Sequence, residues 1–184
     1  RSPRRAMFMS KKAHTVPGAV HLPENDARDM RKKGIDSTDS KIISILQQDG
    51  RASNTDIARG LNISEATVRG RIKRLIDEQF IQIVAVANPF KTGFEIAGDL
   101  YINVDMKMID SVISELEKLS ELWYIVMTTG ETNINAEFIV KSLDELHDLV
   151  YNRLSSIDGI LKVETAIIMK YIKRNYDFGT AIEL

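Results

Sequence analysis

Ser64-Glu65-Ala66-Thr67-Val68-Arg69-Gly70-Arg71-Ile72-Lys73-Arg74 is the stretch whose reading sets the fold. Ser64 suits a helix N-cap, and Val68, Ile72, Leu75 and Ile76 follow at spacings of four, three and one, the inward side of a helix that runs to Glu78. The outward positions divide in two. Ser64, Glu65, Ala66, Thr67 and Gly70 are small or polar and permit close approach to a groove, whereas Arg69, Arg71, Lys73 and Arg74 put four cations within six residues.

Just upstream, Asn54–Gly60 reads as a short helix with Ser53 as N-cap, Asp56 in its first turn, and Ile57, Ala58 and Leu61 on its apolar side. Asn62 and Ile63 form the link. Two short helices joined this tightly, with Ala58 small enough for a close crossing, make the pattern of a helix-turn-helix. A third helix precedes them over Asp36–Gln48, with Ile42, Ile43, Ile45 and Leu46 on one broad face and Gly50 just past its end. Major-groove binding needs short side chains and an occasional arginine at base edges, and long basic side chains at phosphates. On that division Glu65, Ala66, Thr67, Arg69 and Gly70 are the candidates for base-edge contact or close approach. Arg51, Arg71, Lys73 and Arg74 are the candidates for the phosphate backbone, and Ser53 and Ser64 sit at helix N-termini suited to phosphate.

Downstream, Phe80–Ala87 reads as an apolar strand closed by Asn88-Pro89, with Pro89 and Gly93 marking a hinge. A regular rhythm follows. Asp99–Met106 alternates as a half-buried strand, Ile109–Leu119 is an amphipathic helix, and Trp123–Thr129 and Asn133–Lys141 are strands around Gly130. Leu143–Ile157 is a second helix ended by Gly159, and Leu161–Lys173 a last strand. The order β-α-β-β-α-β is the ferredoxin-like plan, one antiparallel sheet with two helices on one face. Apolar residues on both sides of several strands (Ile125 to Met127, Phe138 to Val140, Ala166 to Met169) imply that the other face packs on a second sheet, as in a dimer. The expected class is therefore α+β: a winged-type helix-turn-helix over 36–80, a strand and hinge over 81–93, and a ferredoxin-like βαββαβ domain over 94–184.

Residues 1–35 lack apolar periodicity and read as a flexible arm whose first residues, ahead of Met7 and Met9, are set aside from the functional argument. Through Gly34 this arm holds nine Lys/Arg against three Asp/Glu, a net of +6, while the remaining sixteen basic and twenty-three acidic residues sum to −7. The overall −1 therefore says nothing against a nucleic-acid partner, because the positive charge is local. With no cysteine there is no disulfide framework or thiolate metal site, which fits a reducing cytoplasm. His14, His21 and His147 are too scattered for a metal cluster, so no metal site or cofactor is expected. No apolar run approaches the ~20 residues of a membrane span.

The residues from Asp36 to Leu75 resemble the DNA-binding half of the Lrp/AsnC (feast/famine) regulators. Asp36, Asp39, Ile45, Leu46, Asp49, Gly50, Arg51, Ala58, Leu61, Ser64, Val68, Arg71, Ile72 and Leu75 fall where that family's pattern puts such residues. The similarity runs on through Ile81, Pro89, the βαββαβ order and Glu164–Lys170, covering roughly 36–173. It implies a transcription regulator of double-stranded DNA whose C-terminal domain forms a homodimer, joins dimers into a tetramer or octamer, and binds an amino-acid effector between dimers. The matching loop is Thr128-Thr129-Gly130-Glu131-Thr132-Asn133-Ile134, where Gly130 allows a tight turn whose N–H groups can receive a carboxylate. Glu131, Thr132 and Asn133 stand where an ammonium or side-chain amide would be met, although the family commonly has an aromatic residue in place of Thr132 and an Asp in place of Asn133. Two other readings compete: an architectural DNA-compacting protein with weak sequence preference, and a ferredoxin-like enzyme. No nucleophile-elbow, P-loop, Rossmann or metal-ligand spacing supports the enzyme.

Overall fold

The computed structural model describes residues 34–175, 177 and 179–181. Most of the basic arm and both of its histidines lie outside them. The chain divides into two compact units, one through Val84 that also takes in the described residues from Asn175 on, the other from Ala85 to Arg174. The expected limits, 36–80 and 94–184, had assigned that last stretch to the second domain.

The first unit holds α1 (Ser37–Gln48), α2 (Asn54–Leu61) and α3 (Glu65–Asp77). Each start is chemically specified. Asp36 caps α1 in a reciprocal box: its carboxylate accepts the Asp39 N–H at 2.8 Å while Asp39 accepts the Asp36 N–H at 3.0 Å. Ser53 and Ser64 cap α2 and α3. The α2–α3 turn closes on Asn62, which takes the left-handed conformation (φ +54°) so that the Ile63 N–H reaches the Ala58 carbonyl at 3.0 Å. The core consists of Ile42, Ile43, Ile57, Ala58, Val68 and Leu75, with Ile63 and Ile72 packed at its margin.

Phe80–Ala87 forms no strand. A strand exists only as a partner in a ladder, and among the described residues nothing pairs with this segment, whose Ile83, Val84 and Val86 remain about half exposed. Asn88 instead caps a 3₁₀ turn over Pro89–Lys91.

The second unit contains β1 (Ile96–Val104), α4 (Ile109–Leu116), β2 (Leu122–Met127), β3 (Ile134–Val140), α5 (Leu143–Asp148) and β4 (Ile160–Ile167). The strands lie in the order β2-β3-β1-β4, every neighbour antiparallel, as the ferredoxin-like plan requires. One face buries Leu100, Ile102, Val104, Ile134, Ala136, Phe138 and Val140 against α4, α5 and the turn after α5, through Val112, Leu116, Leu146 and Leu149. Past Asp148 the expected long helix widens into a π-turn (Leu149–Arg153) and a 3₁₀ turn (Leu154–Ser156). Widening lets Leu149 and Leu154, five residues apart, both point into the core. The final strand stops at Ile167, six residues short of Lys173; Ile168 still donates to the Ala97 carbonyl, but β1 begins at Ile96 and offers no ladder beyond it.

The opposite face departs from the doubly apolar surface expected. Asp99 lies directly across from Glu137 on the two central strands, with Tyr124 the next cross-strand neighbour of Glu137 and Ala166 that of Asp99. Val126, Ile139 and Ala166 share this face with Tyr101 and Asn135, so it is mixed rather than continuously apolar. Partial burial and the Asp99 charge push the Glu137 carboxyl above its usual range, and Arg174 pulls the other way.

Candidate nucleic-acid interface and effector loop

The outer side of α3 is built as the sequence implies. Glu65, Ala66, Thr67, Arg69, Gly70 and Lys73 are all exposed. A side chain added at Gly70 would meet nothing within 4 Å, so this patch of helix is open for a groove edge to approach. Arg69 lies on Glu65 at 2.5 Å and Lys73 on Asp77 at 2.5 Å, each one turn apart along the helix. Both cations are largely exposed, and such pairs contribute only ~0.3–0.5 kcal/mol, so a base edge at Arg69 or a phosphate at Lys73 can displace the carboxylate readily. Arg51 is exposed in the turn between α1 and α2, where its N–H donates to Asp49.

Arg71 and Arg74 are placed otherwise. Arg71 Nη1 donates to both oxygens of Asp36, at 2.8 and 2.7 Å, and to Asp39 Oδ1 at 2.8 Å. Arg74 Nη2 donates to Asp39 Oδ2 at 2.5 Å, while its Nη1 reaches Glu78 at 3.0 Å. Their side chains are only 29% and 28% exposed, and Asp39 is 1% exposed. These two expected phosphate contacts are therefore turned onto α1. Removing one partner of a buried pair leaves an uncompensated charge at a cost of ~3–5 kcal/mol, so phosphates do not compete here on the terms that hold for Arg69. The charge balance follows the geometry: the Asp39 N–H and then Arg71 hold the Asp36 carboxyl below its usual range, and Asp36 and then Asp39 raise Arg71 further.

Ser53 and Ser64 act as caps. Ser53 Oγ accepts the Asp56 N–H at 3.1 Å and donates to Asp56 Oδ2 at 2.6 Å; Ser64 Oγ accepts the Thr67 N–H at 3.1 Å and pairs with the Thr67 hydroxyl at 2.7 Å. Both remain exposed at helix N-termini. Asp36 and Asp39 are the partners that the reading of outward cations did not assign to Arg71 and Arg74. The signal available was Asp36 and Asp39 three apart at a helix start, which has the capping box as its local meaning.

The loop between β2 and β3 is a tied hairpin. The Thr128 N–H donates to the Asn133 carbonyl (2.9 Å), and the Thr128 hydroxyl to the Thr132 carbonyl (2.9 Å). Gly130 takes φ +122°, and nothing lies within 4 Å of where its side chain would be. Thr129, Gly130 and Glu131 are exposed. The others are committed. Asn133 Oδ1 accepts the Val104 N–H at 3.0 Å and its own N–H donates to the Ile102 carbonyl, which locks the loop to β1. The Thr132 hydroxyl donates to Asn135 Oδ1 at 2.8 Å. Ile134 is fully buried in the helix-facing core, so its side chain offers nothing to a ligand at the loop.

Among the described residues no helix is long and apolar enough to cross a membrane.

Comparison with known proteins agrees with this architecture. Residues 35–76 match the AsnC-type helix-turn-helix domain, and residues 100–178 the Lrp/AsnC ligand binding domain. An HTH-type transcriptional regulator of Pyrococcus abyssi is 37% identical over 147 residues, 79% of this chain and 93% of that protein. The HTH-type transcriptional regulator LrpA of Pyrococcus horikoshii is 30% identical over 140 residues, 76% of this chain and 99% of that protein. Among solved structures, AsnC of E. coli superposes with a TM-score of 0.72 at 24% identity, over 79% of this chain and 99% of that one. A transcriptional regulator of Neisseria meningitidis, solved as its L-Met complex, gives 0.72 at 21% identity over 78% and 96%. With both domain types in order and relatives matched over nearly their whole length, the chain belongs to the Lrp/AsnC family of DNA-binding transcriptional regulators.

Proposed function

We propose that this protein is a sequence-specific regulator in which α3 reads the major groove, the C-terminal domain brings two readers together, and an amino acid or related small effector adjusts their spacing. The observation that carries the reading is the exposed strip Glu65, Ala66, Thr67, Arg69 and Gly70, open to a groove edge, with the displaceable cation Lys73 beside it. Arg51, Ser53 and Ser64 supply phosphate contacts beside it. A dimer presents two such helices, which matches a pseudo-palindromic site with half-sites ~34–36 Å apart.

The sheet face opposite the helices supports assembly, since Val126, Ile139 and Ala166 are apolar positions that a second copy would cover. Dimers then join as a tetramer or octamer. The exposed tip Thr129–Glu131 supports effector contact, with Gly130 admitting a carboxylate to backbone N–H groups and Glu131 the group available for an ammonium. The L-Met complex of the Neisseria relative is in keeping with an effector of this class. An effector shifts DNA affinity by at most its differential affinity for the two arrangements.

The test selects duplexes from a random pool and titrates the full chain against selected and random DNA at several salt concentrations. Selected duplexes should bind at least ~10³-fold tighter. Equal affinity with a steep salt slope would overturn specific reading and favour a compacting protein. For the effector, a thermal-shift screen of the twenty amino acids should give at least one hit that Glu131→Ala removes; no hit discards the effector and leaves the reader.

A further inference from the structure

Among the described residues, the polar side chains buried from solvent are those of Asp39 and Ser40, neighbours on α1. A carboxylate that is 1% exposed is tolerated only where donors replace water on both oxygens. Asp39 meets that condition with three: the Arg71 guanidinium on Oδ1, and the Arg74 guanidinium and the Asp36 N–H on Oδ2. Two of these donors come from the reading helix. Arg71 and Arg74 are one turn apart on the flank of α3, away from Glu65 and Arg69 and beside the core residues Val68 and Leu75.

Core packing fixes which side of α3 faces inward, through the fully buried Val68 and Leu75, but leaves the finer angle about the helix axis to the contacts at its flank. Guanidinium–carboxylate pairs are directional: the planar fork accepts a partner only in its plane and along its N–H bonds. With Asp36 and Asp39 fixed to each other by the capping box, the four carboxylate oxygens form a rigid template on α1. Arg71 and Arg74 dock on that template, which ties one flank of α3 to the start of α1.

We propose that Asp39 is a positioning residue for DNA reading: it sets the rotation of α3 and withholds Arg71 and Arg74 from phosphates, so sequence discrimination depends on a side chain buried away from the DNA. This deepens the specific-reader assignment and rests on it. Two consequences separate it from a merely structural role. Loss of the template lets α3 roll, which weakens base contacts but spares phosphate contacts. It also takes one acidic partner from each of Arg71 and Arg74, leaving them only the more exposed Asp36 and Glu78, so both are easier for a phosphate to recruit on any sequence.

The experiment compares the full chain with the near-isosteric Asp39→Asn and with Arg71→Lys, a variant that keeps the charge but loses the fork. Binding to selected and random duplexes is measured against salt, with thermal melting as a check on folding. For Asp39→Asn, selected-duplex affinity should fall 10–100-fold while random-duplex affinity holds or rises. The salt slope on random DNA should steepen by up to two phosphates' worth, ~0.9 in log–log slope for each. Equal losses on both duplexes with an unchanged slope, or an unchanged selected-to-random ratio, overturn the proposal. If Asp39→Asn does not fold, Arg71→Lys decides: a reduced ratio supports the positioning role and an unaltered one overturns it. Failure of the wild-type chain to prefer any duplex overturns the reader assignment itself, whereas a wild-type preference that survives both substitutions overturns only the role of Asp39.

Discussion

Gly70 and Gly98 show how one residue type carries opposite constraints. A methyl group at Gly70 would point into open space on the middle of α3, so Gly70→Ala should stabilise the free protein by ~0.5–1 kcal/mol, the usual helix-interior difference. If a groove edge approaches there, the same methyl weakens DNA binding. Thermal melting together with a duplex titration should show stability up and affinity down; a stabilised protein with unchanged affinity removes Gly70 from the interface. At Gly98 the space is already filled. A β-carbon would lie 2.4 Å from the Ala166 carbonyl oxygen and 2.6 Å from the Phe138 ring, which packs across the glycine from the paired position on β3. Gly98→Ala should therefore cost ~1–3 kcal/mol or more, visible as a lower melting temperature. A melting temperature equal to wild type would contradict that packing.

The contrast between Arg69 and Arg71 also belongs to this scale. Two residues apart, they are equivalent in a linear reading, yet one holds an exposed glutamate on its own helix and the other two aspartates 35 and 32 positions earlier. Separation along the chain hid the second pair. Each aspartate was visible as part of a family pattern, but nothing local announces that a guanidinium will arrive there.

For whole elements, helices were far easier to read than strands. Caps, left-handed C-terminal residues and apolar spacing are local signals, and α1, α2 and α3 fall within a residue or two of expectation. Strand existence depends on a partner, which is why the apolar run at 80–87 looked like a strand and is not paired as one, and why β4 could not run on to Lys173 past the start of β1 at Ile96. The β1–β3 pairing carries a prediction of its own. Glu137 faces Asp99 across the ladder and has its carboxyl raised above the usual range. Its folded-state proton affinity thus exceeds that of the unfolded chain. The linked stability is fully present below the unfolded value and declines as pH rises through the folded one. Glu137→Gln should flatten that decline, giving a higher melting temperature than wild type at pH 8 and little difference at pH 4. An equal difference at both pH values would exclude the linkage.

Taken whole, the chain contributes to its first unit twice, from the N-terminal side through Val84 and again from Asn175. Gly179 donates its N–H to Gln47 at 3.0 Å, and the Thr180 hydroxyl meets Ser40 at 2.5 Å. Both partners lie on α1, seven residues and so two turns apart, on the helix whose Asp39 anchors α3. Ending the chain after Arg174 would uncover Ser40 and remove both hydrogen bonds. At ~0.5–1.5 kcal/mol for each bond, hydrogen exchange of the α1 amides should accelerate several-fold. Unchanged α1 protection in the shortened chain would show that the tail adds nothing to the helix.

The sequence by itself determined the three N-terminal helices, the helix-turn-helix, the βαββαβ plan and the family. These are written in local periodicity, capping and turn chemistry, and in patterns that survive in distant relatives. The strip Glu65–Gly70 was legible for the same reason, as the outward part of an amphipathic helix. Only the tertiary structure decided which of four neighbouring cations are anchors. It also decided that Asn133 ties the loop to β1, that Ile134 belongs to the core, and that the chain's last described residues return to α1. Each of these depends on what a side chain meets across tens of residues, and a charge, an amide or a methyl group looks the same in sequence until its partner is in place.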